Sequence, residues 1–230
     1  MKVEIHSHTD IYSPCSKIPP RELVAMAEAS GYDAIFITEH NRVWPGRDLA
    51  ELREMCESLH IFGGIEISLP ERLDLIVLGA EDPIFETLRT PQEVLAQACA
   101  QGLLTVLAHP FRFNDSLPDF CRLVDALETR TCNHSVPEQL EAAHEFAQRY
   151  HLAEVHSSDA HGLNFMNKFW IETRVPFRTP QDFRNLILSG HYENKQREFE
   201  MPLPPPWKVS TMADLSDEDV QALSVQPTEY

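Results

Sequence analysis

Two short stretches place chemically able side chains two residues apart: His6-Ser7-His8 near the start of the chain and Asp159-Ala160-His161 far along it. On an extended backbone, residues i and i+2 point the same way, so each pair can grip one ion. Imidazole and carboxylate ligands suit zinc, manganese or iron. The same residue types recur after other apolar runs, in Glu39-His40-Asn41, in Gly64-Ile65-Glu66 and in His109-Pro110. A lone histidine at a strand end is more often a hydrogen-bonded residue than a ligand. Five separate apolar runs that all finish in His, Asp or Glu are a different matter and predict one polar cluster.

The elements that must position this cluster alternate in type. Strands are predicted over 2–7, 33–38, 60–67, 73–79, 103–109, 123–128, 152–158 and 169–175. Amphipathic segments fall between most of them: PPRELVAMAEASG, RDLAELREMCESL, TPQEVLAQACAQG, SVPEQLEAAHEFAQRY and TPQDFRNLILSG. Thr90-Pro91 and Thr179-Pro180 are helix-start pairs, and Gly31, Gly102 and Gly190 are helix stops. Such β–α alternation predicts an α/β fold with a mainly parallel sheet, most simply a closed or nearly closed (β/α) barrel. In that architecture the C-terminal ends of the strands share one rim, where sites are built. The fold is expected to occupy 1–200. Residues 201–230, with Pro202, Pro204, Pro205 and Pro206, are expected to form an extended or mobile tail holding at most one short helix over SDEDVQAL.

Composition narrows the class. The chain has 230 residues, 43% hydrophobic and 24% charged, with a formal net charge of −17. That sign argues against a long nucleic-acid partner but permits a small anion held by a local cation. No apolar run reaches the length of a membrane span and the N-terminus has no secretory pattern, so a cytoplasmic protein is expected. Five scattered cysteines without a CxxC pair fit a reducing compartment. No GxSxG elbow is present for a serine hydrolase. His60, His144, His151, His156 and His191 are read as structural.

Taken in order, HxH (His6, His8), (D/E)H (Glu39, His40), GxE (Gly64, Glu66), AHP (Ala108, His109, Pro110) and SDxH (Ser158, Asp159, His161) resemble the PHP (polymerase and histidinol phosphatase) domain family of metal-dependent phosphoesterases, in a small stand-alone form. The resemblance implies a distorted (β/α)7 barrel with two or three divalent ions (Zn, Mn or Fe) at the C-terminal rim of the strands. It implies that His6, His8, Glu66 and Asp159 hold one ion, that Glu66 bridges to a second bound by His109, and that His40 and His161 hold a third. Two positions depart from the family. Ser13 stands where a carboxylate is common, leaving Cys15 as either a substitute ligand or a loop thiol. Ile76 stands where a histidine is common, and Asp74 on the same strand face either compensates or is an ordinary strand-edge residue. Asn133 and His134 either reach the rim or lie in a surface loop.

The function expected is hydrolysis of a small phosphate ester, a phosphomonoester or nucleotide-like molecule. Asp159 and Glu66 are the catalytic carboxylates, with Asp159 orienting the attacking water. Asn41, Arg42 and Arg112 follow rim motifs and are candidate substrate contacts, the arginines as phosphate clamps or as surface ion pairs. Trp44 either stacks on a substrate ring or packs in the core. The rival readings are a C–N or C–O hydrolase of amidohydrolase type and a non-catalytic protein with a degenerate metal site.

Overall fold

The computed structural model describes residues 1–132 and 136–197. Asn133, His134 and the expected tail at 201–230 lie outside these residues. Among the described residues one sheet holds nine strands: β1 (Lys2–Glu4), β2 (Ala34–His40), β3 (His60–Leu69), β4 (Leu73–Leu78), β5 (Leu104–Ala108), β6 (Ala126–Arg130), β7 (Ala153–His156), β8 (Phe169–Thr173) and β9 (Tyr192–Gln196). Their spatial order is β7-β6-β5-β4-β3-β2-β1-β8-β9. A parallel bridge joins Ser7 to Ala160, with His8 N–H donating to Ala160 O at 3.1 Å and Ala160 N–H to His6 O at 3.2 Å. The chain beyond β1 thus meets the chain beyond β7, and the sheet is nearly closed into a barrel.

The sheet is mixed where a mainly parallel one was expected. β1, β2 and β3 run parallel, as do β5, β6 and β7, but β4 is antiparallel to both its neighbours and β8 to β1 and β9. The cause at β4 is local. Only a single short turn at Pro70–Arg72 joins β3 to β4, with Glu71 and Arg72 at φ 61° and 56°, and so short a link can make only a hairpin. Reversal puts the N-terminal end of β4, and hence Asp74, at the rim where β3 and β5 end. Strand β9 was not anticipated, because YENKQ has no apolar alternation to mark it.

Burial on both strand faces explains the near-continuous apolar runs. Ile65, Leu75, Val77, Leu107 and Leu127 pack outward in one cluster with residues of α3 (Pro91–Gln101) and α4 (Pro137–Tyr150). Ile35, Ile37 and Ile61 do the same with α1 (Pro20–Ala29) and α2 (Gly46–Glu54). On the inner faces Phe36, Phe62, Ile76, Leu78, Leu104, Val106 and Ala126 form an apolar floor, sealed by Phe177 and by Phe183 of α5 (Pro180–Leu188). Ile76 is thus a core residue. Helix ends follow the expected chemistry: Thr90 and Glu93 make a reciprocal capping box and Gly102 stops α3 at φ 66°. α2 ends at Glu54, one turn short of the segment expected. No helix among the described residues is long and apolar enough to cross a membrane.

Candidate metal centre

Above the apolar floor the inner faces turn polar, and the candidate residues meet there. Strand β1 stops at Glu4, whose Oε1 accepts from the backbone N–H of Ile5 and His6 at 3.1 Å each and of Ser158 at 3.0 Å. His6 and His8 follow, both fully buried. Their ring centroids are 4.9 Å apart, His6 lies 6.0 Å from His109, and His8 lies 4.4 Å from His40 and 4.3 Å from His161. Two of these residues hold positive φ, His109 at 27° after β5 and Asp159 at 46° after β7. Left-handed backbone at non-glycine residues costs energy and clusters at functional sites.

Glu66, buried near the end of β3, sits at the centre. Its Oε1 lies 3.0 Å from His109 Nε2, while its Oε2 lies 3.4 Å from His6 Nε2, 3.3 Å from His8 Nε2 and 2.9 Å from His40 Nδ1. The two oxygens therefore serve different sets of nitrogens, as a bridging carboxylate requires. Asp159 Oδ1 is 3.3 Å from His6 Nε2, His8 Nε2 and His161 Nδ1, and Asp159 Oδ2 is 3.8 Å from His109 Nε2. Among the described residues, three groups have ligand atoms within 4.8 Å of one another: His6, His8 and Glu66; Glu66, Asp74 and His109; His8, His40 and His161. Asp74, 4.0 Å from His109 Nε2, occupies the side of the cluster where Ile76 offers nothing.

The donor set fits divalent ions. His6 Nε2, His8 Nε2 and Glu66 Oε2 are buried and make no well-aligned hydrogen bond among the described residues, although such atoms ordinarily find partners. Burial alone would push the His6 imidazole down, yet Asp159, Glu128 and Glu66 together hold it well above its ordinary value. Burial opposes ionisation of Glu66 and Asp159 as well, and the surrounding imidazoles still hold both well below the usual carboxylate range. His40 and His161, closer to solvent, are raised against burial to about 11 by Glu66 and about 10 by Asp159. The carboxylates thus favour positive charge at the centre, except at His8, whose imidazole burial lowers to about 3 with His161 and His40 adding to the effect.

A second tier of residues supports the first. Glu128 on β6 was not singled out from sequence, although a glutamate in an apolar strand (Ala126-Leu127-Glu128) is a signal in itself. Its Oε1 takes His6 Nδ1 at 2.9 Å and the Ser157 hydroxyl, and its Oε2 accepts from His109 N–H at 2.8 Å. Glu39 of the (D/E)H motif faces away from the cluster. It accepts from the Thr9 and Ser13 hydroxyls at 2.5 Å each and from Trp44 Nε1 at 3.0 Å. Trp44 is therefore buried core, edge-on to Tyr12.

The expected substrate contacts are placed unevenly. Arg42 NH1 is 3.0 Å from Glu86 Oε2, which favours the ion-pair reading. Asn41 is tied to β3 through both Ser68 N–H and the Ser68 hydroxyl. Arg112 lies over the Phe113 ring at 4.8 Å, just beyond His109. Cys15 lies in an exposed loop with its thiol against His161 and His40; burial raises it, but these two imidazoles lower it to about 6. The histidines read as structural stay apart from the cluster: His144 pairs with Glu154 at 2.8 Å, His151 caps α4 at φ 55°, His191 contacts Ser189, His60 stacks beside Phe62 and His156 meets Phe169 edge-on.

Comparison with known proteins adds to this geometry. A family model described as PHP-associated matches residues 137–192. No curated protein matches the sequence. Among solved structures, the fold is similar to that of a two-domain protein from Bacteroides vulgatus containing a predicted PHP-like metal-dependent phosphoesterase, with TM-score 0.70 and 16% identity over 85% of this chain. The chain spans 64% of that protein's length. A candidate metal-dependent phosphoesterase from Bifidobacterium adolescentis gives TM-score 0.55 at 18% identity, covering 70% of this chain and 87% of its own. An amidohydrolase from Chromobacterium violaceum, solved with sulfate and no metal, gives 0.54 at 13% identity, covering 70% and 88%.

Proposed function

We propose that this chain is a member of the PHP domain family and that it hydrolyses a small phosphate ester in a metal-dependent reaction. The observation that carries the proposal is the convergence of His6 Nε2, His8 Nε2 and Glu66 Oε2, all buried and all without a well-aligned hydrogen bond among the described residues. His6, His8, Glu66 and Asp159 would hold one divalent ion, Glu66, Asp74 and His109 a second, and His8, His40 and His161 would hold a third. When bound, such ions supply Lewis acidity, lowering the pKa of water and neutralising charge on phosphoryl oxygens.

The chain's own residues do the rest. Glu66 places one negative charge between two ligand sets. Asp159 orients the attacking water and accepts its proton at Oδ2, the oxygen turned away from His8 and His161. His40 and His161, at the solvent side of the cluster, face the leaving group. Arg112 is the cation for the phosphate, since Arg42 is held by Glu86. The buried walls around His6 and His8 keep bulk water from competing, which strengthens each charge interaction. The substrate is a small molecule, and the net charge of −17 disfavours a long polyanion. A reducing cytoplasm suits the five free thiols.

A second reading, hydrolysis of a C–N bond, draws on the fold shared with the amidohydrolase. Parallel panels of phosphomonoesters, nucleotides and amides, run on protein supplemented with zinc, manganese or iron, separate the two. Turnover confined to phosphate esters is expected; turnover confined to amides overturns the phosphoesterase reading.

A further inference from the structure

Both histidines of the HxH pair turn Nε2 toward Glu66 and Asp159, and each has its Nδ1 occupied by an acceptor one shell out. For His6 the acceptor is Glu128 Oε1 at 2.9 Å. For His8 it is the Ser13 hydroxyl at 3.3 Å. A hydroxyl can donate as well as accept, so its direction must be argued. Ser13 Oγ lies 2.5 Å from Glu39 Oε2; burial raises the Glu39 carboxyl, but the donor-only N–H groups of Thr9 and Trp44 on its oxygens favour the carboxylate, which only accepts. The hydroxyl proton therefore goes to Glu39, and the lone pairs of Ser13 receive His40 N–H at 3.1 Å and His8 Nδ1–H. Glu39 is itself fixed by Thr9 and Trp44 and cannot swing away.

We propose that Glu128 and the Glu39–Ser13 pair are positioning residues that lock His6 and His8 in the tautomer with Nδ1 protonated and the Nε2 lone pair facing the metal centre. On this view Ser13 is a relay from a buried carboxylate and not a lost ligand. Glu128 also acts beyond His6, because its other oxygen holds the N–H of His109, whose φ of 27° needs an outside partner to persist. One carboxylate thereby ties the ends of β1 and β5 together, and through Ser157 the end of β7. Ligand histidines commonly donate their second ring N–H to such a partner, and losing it lowers metal affinity about 10–100-fold.

The inference rests on the metal-dependent reading and is tested without turnover. Cobalt(II) is titrated into chelator-stripped wild type and into Ser13→Ala, Ser13→Thr and Glu128→Gln, following the d–d absorption of the bound ion. The melting temperature of each metal-free protein is recorded alongside. Ser13→Ala and Glu128→Gln should bind cobalt about 10–100-fold more weakly with altered band positions, while Ser13→Thr, which keeps the hydroxyl, should bind close to wild type. If Glu128→Gln does not fold, the two Ser13 variants decide. Wild-type affinity and spectrum in Ser13→Ala would overturn the proposal, as would equal weakening in Ser13→Thr. Wild type that takes up no cobalt would overturn both this and the metal reading; cobalt binding without ester hydrolysis would fail only the phosphoesterase.

Discussion

His6 and His109 stand with ring centroids 6.0 Å apart, although they follow strands that lie four places from each other in the sheet. Curvature of the sheet brings them together, and Glu66 from the strand between fills the gap with one oxygen toward each. The contact follows from near closure of the barrel, since the same residues on a flat sheet would be far apart.

Glu66→Gln should remove metal and activity together. The amide still offers an oxygen but no charge, so two cations would repel each other in a site of low dielectric. Elemental analysis beside a phosphomonoester assay should show occupancy collapsing and the rate falling at least about 100-fold, beyond what loss of a supporting hydrogen bond costs. Full metal with full rate would exclude the bridging role.

Asp159→Asn should separate the two quantities. His6, His8 and Glu66 remain to hold an ion, while the amide cannot accept a proton from water. The same pair of measurements should show metal largely retained and kcat lowered about 10²–10⁴-fold. Loss of metal in step with activity would make Asp159 a ligand first and a base second.

His156 gives stability a pH dependence of known sign. Burial, with help from Arg130, lowers its imidazole from 6.5 to about 4. The folded state therefore prefers the neutral ring, so the contribution is intact above about pH 6.5 and is lost as pH falls toward 4. The loss is at most about 3 kcal/mol. Urea unfolding of wild type against His156→Gln from pH 8 to pH 4 should show the wild type's relative stability declining across that window. A difference that is constant with pH would contradict it.

Gly79→Ala should destabilise the fold without touching the centre. Gly79 has φ 89°, and an added Cβ would come within 2.4 Å of Pro180 Cβ at the start of α5. Strain and overlap together predict a cost of about 2 kcal/mol or more, read as a lower melting temperature. Metal content per folded molecule should not change.

The sequence showed most of what positions the site. Strand ends were legible because each apolar run stops abruptly at a His, Asp or Glu, and helix starts because Thr-Pro pairs announce them. The reversed direction of β4 was hidden, since LDLIVL reads the same both ways and only the tight 70–72 turn sets it. That reversal explains how Asp74 reaches the cluster beside an inert Ile76. Glu128 and the supporting role of Glu39 escaped because a supporting carboxylate is recognised by what it touches, and no spacing rule links residue 128 to residue 6. Arg42 shows the converse: a cation beside a motif found its partner in Glu86, more than forty residues on, which no local pattern marks.

The central claim is that the buried cluster works through bound divalent ions on phosphate esters. Its most direct test is stepwise metal addition to chelator-stripped protein, following ion content and phosphomonoester hydrolysis in the same samples. The account predicts no hydrolysis above buffer in the stripped protein and a rate that rises as two or three ions bind. Undiminished hydrolysis by protein shown to be metal-free would contradict it, and so would a fully loaded protein that hydrolyses no phosphate ester.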